Sequence, residues 1–484
     1  MLRNLINKID LGANLSKYLG TCIKNTVKIC KIMRFVMRFA IFFVILAQNN
    51  SHSYMKRLQW VALAAILIMI VTGTGCNRDL YDQREHQRIM DSVSPVDSVD
   101  ANHTWLLTES RTLIVTTPDT GKIKTIKILT ANPRESGNAK VVGEAYASAG
   151  ERITMGVTFS NRQTKLYAAA VDSFDYYTIT PFDANTSTVN FDDPVVVYEK
   201  MPYAPEPQQY TYCFEQQYRM NVDYDFDYND IVMRISQERT GDTEMRYRVQ
   251  LAAVGTDVQM AGAIRLMDFK YSDIESVRTV DSLSFNTTNG VDVPDQILTL
   301  TKNKSFFVKG RNGEAVLNLF VDGHWATGDL LDEDFGMMPR KLYNVSQSSG
   351  DDYQLMVPRT ITYIVTFKSK DALNGASMDR LDPFVYYGYN GAIFEIHQYA
   401  YRNNQTLHAY PASPIKTLPW ALCIPSGSFR WPIEGVNMGF IMKESHLFGA
   451  YATYGHSFGE WSMDHTRSLD WYEYPTENQV VPLL

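Results

Sequence analysis

The sequence predicts an all-β protein: a small N-terminal β-sandwich over residues 103–198, then a larger β-sandwich or jelly-roll-like domain. Three observations carry that expectation. Short runs of alternating apolar and polar residues, the period of a half-buried strand, recur from Trp105 onward. Turn-forming clusters such as Pro118-Asp119-Thr120-Gly121 and Ser148-Ala149-Gly150-Glu151 fall between them. After residue 100 no amphipathic pattern runs longer than two helical turns, while aromatics make up 12% of the chain, enough to fill a large sandwich core.

The beginning of the chain does not belong to either sandwich. Residues 1–54 are mostly basic or apolar and read as an extension upstream of the true start. From Met55 the order is Lys56-Arg57, an apolar core from Trp60 to Val71, then Thr72-Gly73-Thr74-Gly75-Cys76. A positive n-region, a short h-region and small residues before a cut mark a secretory signal, here residues 55–75. A cysteine directly after them resembles the lipobox of bacterial lipoproteins. Cys76 is therefore expected to be acylated as the first mature residue, with the membrane as a partner through its lipid. That places the protein at the outer membrane, on the cell surface or the periplasmic face. The alternative is an uncleaved transmembrane helix, but 12 strongly apolar residues are short for a span of about 20.

Losing residues 1–75 removes ten Lys and Arg but one Asp, leaving 36 basic against 52 acidic residues and a net charge of −16. A chain so acidic is a poor nucleic-acid binder. Of five cysteines, only Cys213 and Cys423 are then left as free side chains. Outside the cytoplasm they could pair, or sit as two buried thiols. Residues 76–102 are polar and without a sustained period, which reads as a flexible tether. Within it, Asp91-Ser92-Val93 and Asp97-Ser98-Val99 resemble the O-glycosylation sequon of Bacteroidota, making Ser92 and Ser98 candidate sites. An ordinary linker explains the same residues.

Strands of the small sandwich are expected at 113–117, 123–129, 153–159 and 165–171. Met201-Pro202-Tyr203-Ala204-Pro205-Glu206-Pro207 marks the boundary, since three prolines in seven residues break a ladder. Beyond it, residues 231–237 and 244–254 flank Arg239-Thr240-Gly241-Asp242 and read as a hairpin. In the second strand Met245, Tyr247, Val249, Leu251 and Ala253 share one face, and Glu244, Arg246, Arg248 and Gln250 the other. Further strands are expected at 305–309, 315–321, 360–368 and 392–397.

The densest chemistry lies just before that hairpin. Asp223-Tyr224-Asp225-Phe226-Asp227-Tyr228-Asn229-Asp230 packs four aspartates, an asparagine and three aromatics into eight residues. Side chains of Asp225, Asp227 and Asn229, two residues apart, can converge on one centre, and Glu215 and Asp230 can add carboxylates. Six to eight hard oxygens at about 2.3–2.6 Å suit calcium. An EF-hand is excluded: counted from Asp225, the sixth position is Asp230 instead of glycine, and the twelfth is Ser236 instead of glutamate. The alternative is an acidic turn whose side chains cap nearby backbone groups. Clustered carboxylates repel, which a cation relieves, and the interleaved aromatics imply that one side of the loop is packed.

Phe214-Glu215, a spacer, the D-x-D-x-N-D run of 225–230 and the apolar strand after it resemble the LruC-type domain of bacterial lipoproteins, a family of unknown function frequent in Bacteroidota. Leu381-Asp382-Pro383-Phe384, Phe394-Glu395-Ile396-His397, Pro419-Trp420-Ala421-Leu422 and Phe429-Arg430-Trp431-Pro432-Ile433-Glu434 fit its other signatures. The likeness covers residues 210–475. It implies a β-rich surface module and brings no activity. The family often has F-E-D at the first position; Gln216 follows Glu215 here, removing one candidate ligand.

No G-x-S-x-G elbow, P-loop, G-x-G-x-x-G or H-E-x-x-H occurs. Histidines are scattered singly. Asp332-Glu333-Asp334 could supply paired acids for glycoside hydrolysis, but three neighbouring acids also make an ordinary solvated loop. Trp325, Trp431 and Trp461 could stack on sugars or fill cores. The sequence therefore points to a lipid-anchored surface protein of binding or structural role, with a glycan or protein as ligand. A carbohydrate-active hydrolase using acids of the second domain is the alternative.

Overall fold

Nine short strands come first in the chain: β1 (Thr108–Thr116), β2 (Ile123–Leu129), β3 (Lys140–Tyr146), β4 (Arg152–Ser160), β5 (Lys165–Asp172), β6 (Tyr177–Asp183), β7 (Thr188–Val189), β8 (Val195–Val197) and β9 (Glu206–Pro207). They form a sheet of three in the order β4-β1-β7 and a sheet of six in the order β8-β6-β5-β2-β3-β9. The inward residues of both, among them Leu113, Val115, Ile126, Ile128, Met155 and Val157, make one buried core. The other face of the six-stranded sheet carries a second, smaller cluster, with Leu129, Val141, Ala169, Val171, Tyr177 and Ile179 buried. The computed structural model describes residues 99–482 except 120, 193, 198–200, 202, 217–225, 281–306, 311, 328–340, 390–391, 399–417 and 442–446. Cys76, Ser92 and Ser98 lie outside the described residues, as do Asp225 and Asp332-Glu333-Asp334.

Thirteen strands then build two larger sheets: β10 (Tyr210–Phe214), β11 (Ile231–Arg239), β12 (Glu244–Val254), β13 (Ala261–Lys270), β14 (Ile274–Thr279), β15 (Phe307–Lys309), β16 (Glu314–Phe320), β17 (Leu342–Tyr343), β18 (Tyr353–Gln354), β19 (Arg359–Phe367), β20 (Leu381–Tyr389), β21 (Ala392–His397) and β22 (Ala421–Ile424). One sheet runs β14-β19-β12-β11-β10-β22, with β17 and β18 added beside β12. The second runs β15-β16-β13-β20-β21. Tyr247, Val249 and Leu251 of β12 and Ile264, Leu317 and Tyr387 of the facing sheet belong to a single core between them. The expected hairpin is present as β11–β12, with Arg239 paired to Met245 at its end.

A C-terminal lobe caps the outer face of the first sheet. Val232, Cys213, Ala252, Ala253 and Leu422 face it and share a core with Trp431, Tyr451, Phe458, Trp461 and Trp471. Burial on both faces explains why β12 ends in an unbroken apolar run. Its register shifts opposite Val232 and Met233, a β-bulge at Ala252, whose carbonyl takes a hydrogen bond from Asn344 Nδ2 at 2.8 Å. The helices of the described residues are single turns, at Gly323–Thr327, Lys370–Asn374 and Phe458–Met463.

Residues 89–484 cluster as one compact unit. Tyr210 Oη donates to the Thr158 carbonyl at 2.6 Å, and Asp379 Oδ1 accepts from Thr158 Oγ1 at 3.1 Å. Gly156 meets the Gly375 carbonyl so closely that a Cβ would lie 2.9 Å from it. The proline-rich segment reaches a sheet: Glu206 and Pro207 pair in parallel with Lys140 and Val141 at its edge, a position proline tolerates.

The end of the tether is also held. Asp100 N–H reaches the Ser462 carbonyl at 3.0 Å, and Trp105 enters the aromatic core of the C-terminal lobe, 5.5 Å from Trp461 between ring centres. The chain is thus locked at residues 100–105 to a lobe more than 350 residues away. Cys213 and Cys423 are both buried thiols that form no disulfide. Cys213 points into the lobe core and Cys423 into the core between the sheets, so opposite faces of the sheet separate them. Burial pushes the Cys213 thiol well up.

Candidate functional site

The loop between β10 and β11 is anchored by its aromatics. Phe226 and Tyr228 are buried and both take left-handed backbone conformations, φ 52° and 54°. Such residues without glycine cost on the order of 1 kcal/mol each and persist where the surroundings hold them. Here Phe226 stacks on Trp420 at 6.4 Å, and its carbonyl accepts from Met438 N–H at 2.9 Å. Tyr228 meets the Phe458 ring edge-on at 6.2 Å and donates its hydroxyl to the Pro419 carbonyl at 2.7 Å.

That anchoring draws the acidic side chains inward. Glu215 and Asp227 are only 4% and 2% exposed, Asn229 is fully buried, and Asp230 is half-buried. Glu215 accepts the Tyr228 N–H at 2.9 Å. Asp227 accepts Asn229 N–H at 3.3 Å through one oxygen and Gly435 N–H at 3.0 Å through the other. Asp230 accepts Gln216 N–H at 2.5 Å, and its own carbonyl accepts Gly255 N–H at 3.0 Å. Backbone capping, the alternative read from the sequence, is therefore present.

Asn229 shows what the tight packing demands. Its Nδ2 donates to the Pro432 carbonyl at 3.2 Å, while its Oδ1 has no hydrogen-bond partner among the described residues. That oxygen fills the notch over Gly255, where a Cβ would lie 1.9 Å away. Glycine is required there by close approach alone.

The sequence reading missed Glu434. It sits next to Gly435, the donor to Asp227, and with Asp352 and Asp227 it helps burial push the Tyr353 phenol up. Its only signal was membership of the Phe429–Glu434 signature. Glu215, Asp227 and Asp230 gather at one end of the sheet, but their ligating oxygens do not meet as a trio. Among the described residues, the three acidic or histidine side chains with such atoms within 4.8 Å of one another are Asp100, Asp464 and His465. There His465 Nδ1 bonds Asp100 Oδ2 at 2.5 Å, holding the Asp100 carboxyl below the usual range. Asp464 caps Thr466. The trio ties the tether's end to the lobe, through residues too far apart in sequence to be linked by reading.

Two of the three tryptophans considered as sugar platforms are core residues. Trp431 is fully buried, donates Nε1–H to the Asn344 carbonyl at 2.7 Å, and lies under the Arg234 guanidinium at 5.1 Å. Trp461 is buried beside Trp105 and Phe458. The side chain of Trp325 lies outside the described residues.

Residues 243–464 match the model of a domain of unknown function, DUF4842. The match begins after the 225–230 loop and takes in most of the larger sandwich and the lobe. A crystal structure of a candidate lipoprotein from Bacteroides ovatus is similar, with a TM-score of 0.42 and 14% identity over 75% of this chain and 100% of that one. No curated protein matches. Among the described residues, no helix is long and apolar enough to cross a membrane.

Proposed function

We propose that this chain is a lipoprotein of the LruC type, anchored at the outer membrane through an acylated Cys76. Its β unit serves a binding or structural role, and calcium is held at the loop between β10 and β11. The anchor rests on the Lys56-Arg57 n-region, the short apolar core and the small residues before Cys76.

The observation that supports the ion is the burial of two carboxylates, Glu215 and Asp227, beside a buried Asn229 oxygen that takes no hydrogen bond among the described residues. Both carboxylates accept backbone N–H bonds, and a bound cation would offset the cost of burying their charge further. The residues that would hold calcium are Asp225, Asp227, Asn229 and Asp230, with Glu215 alongside, all of them hard oxygen donors. Because Glu215, Asp227 and Asp230 do not converge as a trio, Asp225 and backbone carbonyls are needed to complete the set. The ion's role is to neutralise the loop and fasten it between sheet and lobe.

Mass spectrometry of the mature N-terminus tests the anchor. A chain that starts at diacylated or triacylated Cys76 supports it; an unlipidated chain that starts at Met1 or Met55 removes both anchor and location.

A further inference from the structure

Where the C-terminal lobe stops covering the outer face of the β10–β12 sheet, a cleft of about 890 Å³ opens. Its floor includes Ser236 of β11 and Arg248 of β12, both on the outward face. The small sandwich contributes Asn138 and Lys140, the loop after β22 contributes Pro425 to Ser428, and the lobe contributes Tyr472 and Glu473. A concave site of this size where structural units meet falls within the range of roughly 300–1,000 Å³ typical of ligand sites.

We propose that this cleft binds a neutral oligosaccharide. The walls are amides and hydroxyls more than apolar surface: Asn138, Gln208, Gln209, Ser236, Ser426 and Ser428. Such groups both donate and accept, which matches the hydroxyls of a sugar. Three proline rings, Pro207, Pro425 and Pro475, add the small apolar patches against which sugar C–H faces pack. A lipid would need a far more apolar lining.

The charges around the cleft argue for neutrality. Lys140 pairs with Glu206 at 3.1 Å, Arg430 with Glu477 at 2.6 Å, and Glu473 with Arg162 at 2.6 Å. Arg248 shares Glu238 with Arg246, at 3.4 and 2.8 Å. Each of these charges therefore has an opposite one beside it, Arg246 and Arg248 sharing theirs, and the net −16 of the chain after residue 75 repels anionic ligands.

The site is also preformed. Gln208 Nε2 donates to the Pro425 carbonyl at 3.1 Å, and Thr211 Oγ1 to the Ser426 carbonyl at 2.7 Å. Gly427 lies so close to Gln209 that a Cβ would meet its Oε1 at 2.3 Å. Little ordering is left to oppose binding. The inference stands on this geometry and not on the ion.

Titration calorimetry of the mature protein against linear glucose, xylose and mannose oligosaccharides tests it, with a heparin oligosaccharide and an acidic peptide alongside. Asn138→Trp and Ser428→Trp, both at exposed cleft positions, fill it from the two sandwiches. Glu275→Trp, exposed on β14 outside the cleft, is the control. A neutral oligosaccharide should bind, each filling variant should weaken it by about tenfold or more while melting like the wild type, and the control should bind unchanged. Absence of binding to every neutral oligosaccharide at millimolar concentration overturns the proposal. So does binding that survives both filling variants, or a cleft that takes the heparin fragment or the peptide instead.

Discussion

Replacing Asp227 with alanine separates the structural work of the loop from its ionic work. In calcium-free buffer the side chain still ties the loop to the lobe through Gly435 N–H at 3.0 Å and bonds Asn229 N–H at 3.3 Å. A buried hydrogen bond to a charged acceptor contributes about 1.5–3 kcal/mol. The 3.3 Å contact lies beyond the usual range and adds less. Asp227→Ala should thus cost about 2–4 kcal/mol of unfolding free energy with EDTA present. Asp227→Asn, which keeps one acceptor oxygen and the shape but not the charge, should cost about half as much. Urea unfolding followed by tryptophan fluorescence reads both, since Trp420 stacks on neighbouring Phe226. If the alanine variant unfolds within about 0.5 kcal/mol of wild type in EDTA, the tie across 208 residues carries no stability and the reasoning fails.

Two other outcomes follow from buried titratable groups. Burial alone lowers the His397 pKa, but the carboxylates of Asp382 and Glu395, at 2.8 and 3.3 Å, more than reverse this and hold it at about 9. Raised from an ordinary value near 6.5, this group contributes stability that is full below pH 6.5 and lost as pH rises through 9, worth about 3 kcal/mol. Denaturation midpoints at pH 6 and 9.5 should converge more in His397→Gln than in wild type; equal slopes would show that the imidazolium is not paired. Cys213, buried and lacking a disulfide, should resist thiol reagents in the native mature protein and react on unfolding, and reductant should leave the melting curve unchanged.

What could be read in the sequence follows from which faces are wet. Strand β2 runs where its alternation places it, and so does β21; β12 shows its two faces as far as Leu251 because one of them is solvated over that length, but the bulge at Ala252 turns Ala253, expected on the face of Leu251, toward the lobe. Strands β13 and β20 gave no alternation, because both of their faces are buried. Ile264 and Leu266 enter the core between the sheets while Ala261 and Ala263 join Phe384 and Tyr386 on the far side, which erases the period of two. The site divides in the same way. Asp227, Asn229 and the packed aromatics are local and stand out as a cluster, whereas Gly435, Glu434 and Gly255 reach the loop through tertiary folding. Trp431 and Trp461 show the limit of composition, since nothing in their flanking residues distinguishes a sugar platform from a core.

The most direct test of the central claim is calcium at the 225–230 loop, measured on mature protein by elemental analysis and by melting with EDTA, calcium or magnesium. Binding to the native state alone adds RT ln(1 + [L]/Kd), about 2.7 kcal/mol at one hundred times Kd. The account predicts calcium in the purified protein and a melting temperature that falls with EDTA. Calcium should restore it, magnesium largely should not, and Asp227→Ala should show no response. A melting curve unmoved by EDTA, with no calcium found, would contradict it and leave the octet an acidic turn held by backbone N–H groups alone.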